Sequence, residues 1–342
     1  MFTQTELDRQ IYEEELQDFL PERMFDAHVH LWRKTDFARP LDPKTAAMMP
    51  GASRFPAFIR EELDDALEIL FPGKRCECLV FGTPLAEVDL KRANGYIQEV
   101  IAEREETYGL MLPDLGASAE ALEEEVLEGG FVGFKPYWTF VEGKAKDTIR
   151  IVDMVTRAQL QVADRYGLII MLHIPRPGRI ADPVNVADLE EVCTEYPRAK
   201  IILAHVGRSY GRYFLEQAVD RIKGLENLYL DVAAVNEGEV VERLLEHVAL
   251  SRVLYATDLP IALIRGKHLC VGRQCIFVTE ESFAWSLSGK GPTRVQCTTM
   301  AYETVRALQW ACEQRGLSRA DVEKIFYGNG KGLVEQARAF RA

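Results

Sequence analysis

The sequence predicts an α/β fold, a (β/α)8 TIM barrel, on three observations. Eight short segments are almost continuously apolar, a segment with helical character follows nearly every one of them, and together they occupy about 250 residues. Strands that helices cover on both faces of a parallel sheet have this apolar composition. A doubly wound open sheet would usually have fewer strands and a glycine-rich turn after the first strand, where this chain has His-Leu-Trp-Arg-Lys-Thr-Asp.

The elements follow one another regularly along the chain. Strands are predicted at 24–30, 76–82, 108–112, 131–137, 168–174, 200–206, 227–232 and 252–258. Helices are predicted at 3–20, 60–70, 85–106, 119–128, 148–166, 186–195, 212–222, 237–247, 299–315, 318–326 and from 332 onward. Residues 33–58 are predicted to form a long loop and 261–298 an irregular insertion after the eighth strand. We therefore expect a short N-terminal helical extension, 1–22, and a single TIM-barrel domain, 23–342.

Composition narrows the class of protein. With 47% hydrophobic and 27% charged residues the chain is typical of a globular protein, and its net charge of -12 argues against nucleic-acid or anionic membrane partners. The acidic N-terminus lacks the features of a signal peptide, and no run of 18 apolar residues is present. Seven cysteines without a CxxC pair suit a reducing cytoplasm, so we expect a cytoplasmic protein without a disulfide framework.

Two histidines lie close together on the first predicted strand. His28 and His30 are two residues apart, and side chains alternate between the two faces of a strand, so both imidazoles point to the same side. Two imidazoles on one face of a rigid strand provide half of a metal site. If the site is real, its other ligands should end later strands, because barrel active sites lie at the carboxyl ends of the strands.

Four further polar residues occupy such positions. His173 ends the fifth predicted strand, His205 the sixth and Asp258 the eighth, while Lys135 lies late in the fourth. A buried Asp or Lys is costly without a partner. These residues are therefore predicted to converge with the histidine pair.

This pattern resembles that of the amidohydrolase superfamily. The shared features are HxH on strand 1 (His28 and His30), single histidines on strands 5 and 6 (His173 and His205) and an aspartate on strand 8 (Asp258). The match is closer to the amidohydrolase-related branch of metal-dependent hydrolases, which often has a late lysine in strand 4 and a TDLP-like strand 8. The closing segment 328–333 (GNGKGL) also resembles that branch. The similarity spans about 24–336, and the departures are the acidic N-terminal extension, Gly330 and the 261–298 insertion.

The donor types indicate a metal. Imidazoles with one carboxylate suit one divalent ion, Zn2+ first, with Mn2+ or Fe2+ as alternatives. We assign His28, His30 and His173 as nitrogen ligands and Asp258 as a weaker ligand. The resemblance implies that Asp258 also takes the proton from the attacking water. His205 is expected in the outer part of the site, where it polarises the substrate carbonyl or orients the water.

Two basic residues are candidates for binding an anion. In binuclear relatives the lysine that corresponds to Lys135 is carboxylated and bridges two metals; in the branch that this chain resembles, it is free to bind a substrate carboxylate. We favour the single-metal alternative. Arg176, three residues after His173, is a second candidate for binding a substrate carboxylate.

The reaction that these residues favour is hydrolysis of a small, carboxylated amide, ester or lactone. Non-hydrolytic relatives use the same residues for decarboxylation, which is the alternative, and a catalytically silent binding module is a third. A homodimer is expected only at the level of the family.

A serine hydrolase is the rival enzyme class. Residues 207–211 match G-x-S-x-G between a strand and a helix, and Asp258 and His268 follow Ser209 in the order of a catalytic triad. That hypothesis leaves the paired histidines and Lys135 without a role, so we keep Ser209 only as a distant alternative.

Overall fold

Eight parallel strands form the centre of the computed structural model, which describes residues 2–288 and 295–339. They pair in sequence order within two sheets, β1-β2-β3 and β4-β5-β6-β7-β8. The strands are β1 Arg23–His30, β2 Arg75–Phe81, β3 Thr107–Gly109, β4 Gly133–Phe134, β5 Ile169–Leu172, β6 Lys200–Leu203, β7 Leu228–Asp231 and β8 Val253–Leu254. The predicted α/β fold with parallel strands is confirmed, although most strands are shorter than expected.

Backbone hydrogen bonds also connect the two sheets. The Met111 N–H donates to Gly133 O over 2.9 Å, and the Lys135 N–H donates to Met111 O over 2.7 Å. At the other edge, the Asp258 N–H donates to His28 O over 2.9 Å, and Val29 forms a parallel bridge with Leu259. The segment after β8 therefore lies directly beside the histidine pair of β1.

Helices cover the strands and complete the chain. They are α1 Glu6–Ile11, α2 Pro43–Met48, α3 Pro50–Arg54, α4 Arg60–Leu70, α5 Leu90–Glu103, α6 Ala119–Glu128, α7 Ile151–Met154, α8 Arg157–Tyr166, α9 Pro183–Glu195, α10 His205–Arg208, α11 Arg212–Glu216, α12 Val219–Ile222, α13 Gly238–His247, α14 Met300–Gln314, α15 Arg319–Glu323 and α16 Asn329–Ala339. No helix in the described part of the chain is long and apolar enough to cross a bilayer.

Several predicted helices are divided or extended. The helix expected at 148–166 is divided into two helices, α7 and α8. Thr156 begins the second by accepting a hydrogen bond from the Gln159 N–H as its N-terminal cap. The helix expected at 212–222 is also two, α11 and α12. The long loop 33–58 contains α2 and α3, with Asp42 capping α2. The last helix begins at Asn329 and not at 332, and residues 340–342 lie outside the described residues.

The insertion after β8 is not irregular, which corrects the prediction. It forms a small sheet of β9 Gly266–Val271, β10 Gln274–Thr279 and β11 Leu287–Ser288, with residues 289–294 outside the described part. Gly272 provides the left-handed turn residue between β9 and β10, at φ 61°. Cys270 and Cys275 face each other across this hairpin and form a disulfide, so the expectation of no disulfide was wrong for this pair.

The N-terminal extension packs onto the main core through Ile11, Leu16 and Leu20. A buried carboxylate, Asp8, also ties it to the chain around the insertion. Asp8 Oδ1 accepts a hydrogen bond from the Thr298 hydroxyl over 2.7 Å, and its Oδ2 accepts from the Arg265 guanidinium. The extension is therefore held by both apolar and charged contacts.

Asp8→Asn is expected to lower the free energy of unfolding by about 2 kcal/mol at neutral pH, because an amide N–H would face the Arg265 guanidinium. Burial raises the pKa of Asp8, but hydrogen bonds from Thr5, Arg265 and Thr298 outweigh it and hold the pKa below its usual 3.8. A carboxyl group whose pKa is lower in the folded than in the unfolded state stabilises the fold at pH values above its unfolded-state pKa. This stabilisation is lost as the pH falls through the folded-state pKa. Urea unfolding should therefore show the full difference at pH 7 and a smaller one as the pH falls below 3.8. Glu6→Gln, at an exposed position, is the control; equal effects of both variants would contradict the prediction.

Candidate metal centre and cavity

Three of the predicted site residues form a compact cluster. One ligand atom each from His28, His205 and Asp258 lie within 4.8 Å of one another, and all three side chains are buried. Asp258 Oδ1 lies 3.4 Å from His28 Nε2 and 3.2 Å from His30 Nε2. The carboxyl ends of β1, β6 and β8 thus bring these side chains together, as the barrel topology predicts.

A further carboxylate, which the sequence analysis missed, orients two of the histidines. Asp231 ends β7, and its Oδ2 lies 3.0 Å from His28 Nδ1, while its Oδ1 accepts a hydrogen bond from the His205 N–H over 2.8 Å. His205 Nδ1 lies 2.9 Å from Ala233 O, which can only accept. In both rings Nδ1 therefore carries the proton and Nε2 is left free to bind a metal. The position of Asp231 at a strand end was the signal that could have revealed it.

His173 and His30 lie at the edge of this cluster. The His173 ring centroid is 5.4 Å from that of His205 and 5.1 Å from that of Tyr137. His205 was assigned to the outer site and His173 to the metal, yet His205 belongs to the compact cluster and His173 does not. The geometry therefore makes His205 as strong a ligand candidate as His173.

The protonation state of the histidines suits metal coordination. Burial, together with the positive charge of Lys135, lowers the pKa of His28, His30, His173 and His205 below the usual 6.5, so the rings are neutral and can coordinate. Among the described residues, Asp258 Oδ1 and the Nδ1 atoms of His30 and His173 are buried without a hydrogen-bond partner. Neutral imidazoles around a carboxylate with an unused oxygen fit a divalent metal ion.

Lys135 is fully buried beside the cluster. Its ammonium lies 4.6 Å from the centroid of the Phe81 ring. Burial lowers the pKa of Lys135 to about 8, although the carboxylates of Asp231 and Asp258 act in the opposite direction. A substantial fraction of this amine is therefore neutral near pH 8, which keeps open both its carboxylation and its role as a cation for substrate.

Backbone strain is concentrated where the strands end. In the described chain, every non-glycine residue with positive φ follows one of β5 to β8. Such conformations cost about 1–3 kcal/mol each and persist where the surrounding structure imposes them, typically at functional sites. These residues are Arg179, His205, Val206, Arg208, Ala234 and Asp258, and all but Val206 line the same cavity.

The cavity lies at the carboxyl ends of the strands and has a volume of about 350 Å3. His28, His30, His173, His205 and Asp258 all line it. Its walls are rich in aromatic rings from the ends of β1, β4 and β6 and from the insertion. These rings are Trp32, Tyr137, Trp138, Tyr210, Phe277 and Trp285.

Two predicted residues do not reach the cavity. Arg176 donates from Nε to Asp182 over 2.9 Å and is not among the cavity-lining residues, so the structure does not place it at the site. Ser209 is completely buried and does not line the cavity, and its Oγ has no hydrogen-bond partner among the described residues. A nucleophile needs exposure and a base within hydrogen-bond reach, so the geometry does not support the serine hydrolase alternative.

Comparisons with known proteins give the same fold. A sequence model of the amidohydrolase family matches residues 25–331. No curated protein matches the sequence. An amidohydrolase from Burkholderia multivorans with bound zinc has 13% sequence identity and a TM-score of 0.59, over 91% of this chain and 99% of that chain.

Two decarboxylases are also similar in structure. A dihydroxybenzoic acid decarboxylase from Polaromonas sp. JS666, with bound manganese and the inhibitor 2-nitroresorcinol, has 17% identity and a TM-score of 0.56, over 92% of this chain and 97% of that chain. A 2,6-dihydroxybenzoate decarboxylase from Rhizobium has 15% identity and a TM-score of 0.54, over 92% and 99%. At these identities the likeness establishes the fold alone. Because the family model covers most of the sequence, the chain belongs to the amidohydrolase family of enzymes.

Proposed function

We propose that the protein is a metal-dependent hydrolase of a small, carboxylated amide, ester or lactone. The observation that carries this proposal is the cluster of His28, His205 and Asp258, with His30 Nε2 only 3.2 Å from the same carboxylate. We propose one divalent ion, Zn2+ first, with Mn2+ or Fe2+ as alternatives.

The ligand set that we propose comprises His28, His30, His173 and Asp258, to which the geometry adds His205 as a candidate. When bound, the metal supplies Lewis acidity that activates a water or polarises a substrate oxygen. Asp258 has a buried oxygen without a partner, so it can take a proton from the attacking water and return it to the leaving group. His205 holds its proton on Nδ1, so its Nε2 can orient water as an acceptor, which favours that role over polarising a carbonyl.

Lys135 is proposed as a cation that binds a substrate carboxylate beside the metal. Its burial next to Asp231 and Asp258 places its charge where an anionic group would lie against the cluster. The alternative, a carboxylated Lys135 that bridges two metals, predicts a different metal content and can be tested directly.

Decarboxylation is the second candidate reaction. The observation that favours it is the wall of aromatic rings around a cationic cavity, which suits a flat aromatic or enoic acid. In this reaction Asp258 would deliver a proton to the carbon that loses CO2, and water would not enter the product.

Elemental analysis of the purified protein is expected to give about one metal per chain, and removal of the metal by a chelator should abolish turnover. Two metals per chain would support a carboxylated Lys135, and full activity without metal would contradict the proposal. Once a substrate is known, turnover in 18O-labelled water separates the two reactions, because hydrolysis places the label in the organic product, whereas decarboxylation releases CO2 and leaves the organic product unlabelled.

We further propose that the strands close into a barrel and that the chain consists of an extension and one domain. The hydrogen bonds between the sheets support a closed (β/α)8 barrel, with 1–22 as an extension and 23–342 as one domain. We also propose a cytoplasmic enzyme that acts on a small molecule as a homodimer.

A further inference from the structure

Basic residues greatly outnumber acidic ones along the cavity. Among the described residues that line it, Asp258 is the sole carboxylate, whereas four side chains are cationic: Lys135, Lys146, Arg179 and Arg208. The chain as a whole has a net charge of -12, so this excess runs against its composition. A divalent metal would add two more positive charges. A substrate with a single carboxylate would leave most of this charge uncompensated.

Arg179 lacks the partners that a buried guanidinium normally has. Its Nη1 is buried without a hydrogen-bond acceptor, and no carboxylate of the described chain lies within ion-pair distance of it. The guanidinium lies 5.1 Å from the ring centroid of Tyr210 and 4.6 Å from that of Phe214. The backbone of Arg179 is held at φ 56°. The two aromatic rings therefore hold the guanidinium in place while its Nη1 remains without an acceptor.

Arg208 is anchored on one side only. Its Nη1 donates to the carbonyl oxygens of Ile174, Pro175 and Arg176 over 3.4, 3.4 and 3.2 Å. All three of these hydrogen bonds use Nη1, and the backbone of Arg208 is held at φ 61°. The anchored Nη1 thus orients a two-donor edge that can bind a carboxylate in bidentate fashion.

We propose that Arg179 and Arg208 form a subsite for a second carboxylate, so that the substrate is a dicarboxylate with its other acidic group at the metal and Lys135. This inference rests on the proposed function and specifies its substrate class. Lys146, whose ammonium lies 4.1 Å from the Trp138 ring centroid, is the fourth cation of the same cavity. The aromatic walls would hold the flat frame that joins the two carboxylates.

The test compares matched monoanions and dianions on the metal-loaded protein. Isothermal titration calorimetry would use benzoate, isophthalate and terephthalate, which share one ring and differ in the number and spacing of carboxylates. The better of the two dianions is expected to bind about tenfold or more tightly than benzoate, since its second carboxylate gains charge-assisted hydrogen bonds from the arginines. Arg179→Gln and Arg208→Gln should each remove most of this preference, so that the better dianion binds the variant about as tightly as benzoate does.

The control is Arg212→Gln, four residues after Arg208, where the side chain is exposed and pairs with Glu216. It should keep the preference for the dianion. Equal binding of benzoate and both dianions would overturn the proposal, and so would loss of the preference in Arg176→Gln but not in the two cavity variants. If Arg208→Gln fails to fold, Arg179→Gln alone decides. Metal content is measured in parallel: a preserved preference in a protein that binds no metal would refute the proposed function and leave the subsite standing.

Discussion

Asp258→Asn is expected to lower kcat by a factor of about 10² to 10⁴, the usual range for loss of a general acid–base group. The asparagine keeps the shape of the side chain and can still offer an oxygen to a metal. It cannot take up a proton, and its amide N–H would face the neighbouring imidazoles. Asp258 Oδ1 lies within 3.4 Å of the Nε2 atoms of both His28 and His30. Among the described residues that line the cavity, Asp258 is the sole carboxylate, so no other can replace it as the proton carrier.

The measurement is steady-state turnover divided by the metal content of each preparation, so that loss of metal is separated from loss of proton transfer. Asp182→Asn is the matched control, because Asp182 caps α9, where asparagine also serves, and it lies outside the cavity lining. A variant at Asp258 that binds metal and retains more than a tenth of the wild-type kcat would refute its role as the proton carrier.

The positions of the site residues could be predicted because they depend on topology more than on packing. His28 and His30 share a face through the two-residue period of a strand, and Asp258 reaches them because the strands are parallel and end on the same side. These rules need only strand positions, and an error of a few residues in a strand boundary does not change which side of the sheet a strand end occupies.

Two features that the sequence did not reveal, the place of His205 inside the compact cluster and the two arginines of the cavity wall, depend on local backbone geometry. His205 enters the compact cluster because its own φ is 56°, and Arg179 and Arg208 face the cavity from similar left-handed positions. No spacing rule predicts such conformations for non-glycine residues. Arg176 lies closer to His173 in the sequence than Arg179 or Arg208 does, but its guanidinium pairs with Asp182, six residues later, and does not reach the cavity. The same limit applies to Cys270 and Cys275, which become neighbours only once the hairpin forms.

The second large effect that we expect is on metal affinity, from a substitution of Asp231. This carboxylate orients His28, a proposed ligand, and does not itself line the cavity. Asp231→Asn is expected to weaken metal binding by roughly 10- to 100-fold. An asparagine can still accept the hydrogen bond from the His205 N–H through its oxygen. Its amide N–H would then face His28 Nδ1, which would have to become the acceptor. The proton of His28 would move to Nε2, the atom that must be free to coordinate.

Competition with a chromogenic chelator would measure this affinity, and Asp188→Asn provides the control. Asp188 is as completely buried as Asp231, but it accepts hydrogen bonds from Arg150 and from the Ile151 N–H, and it does not line the cavity. Both variants should lose some stability, since each alters a buried carboxylate with fixed partners. Only the Asp231 variant should lose metal affinity. Equal affinities in the two variants would mean that Asp231 merely supports the fold, and that the orientation of His28 is set by its position on β1 and not by the carboxylate behind it.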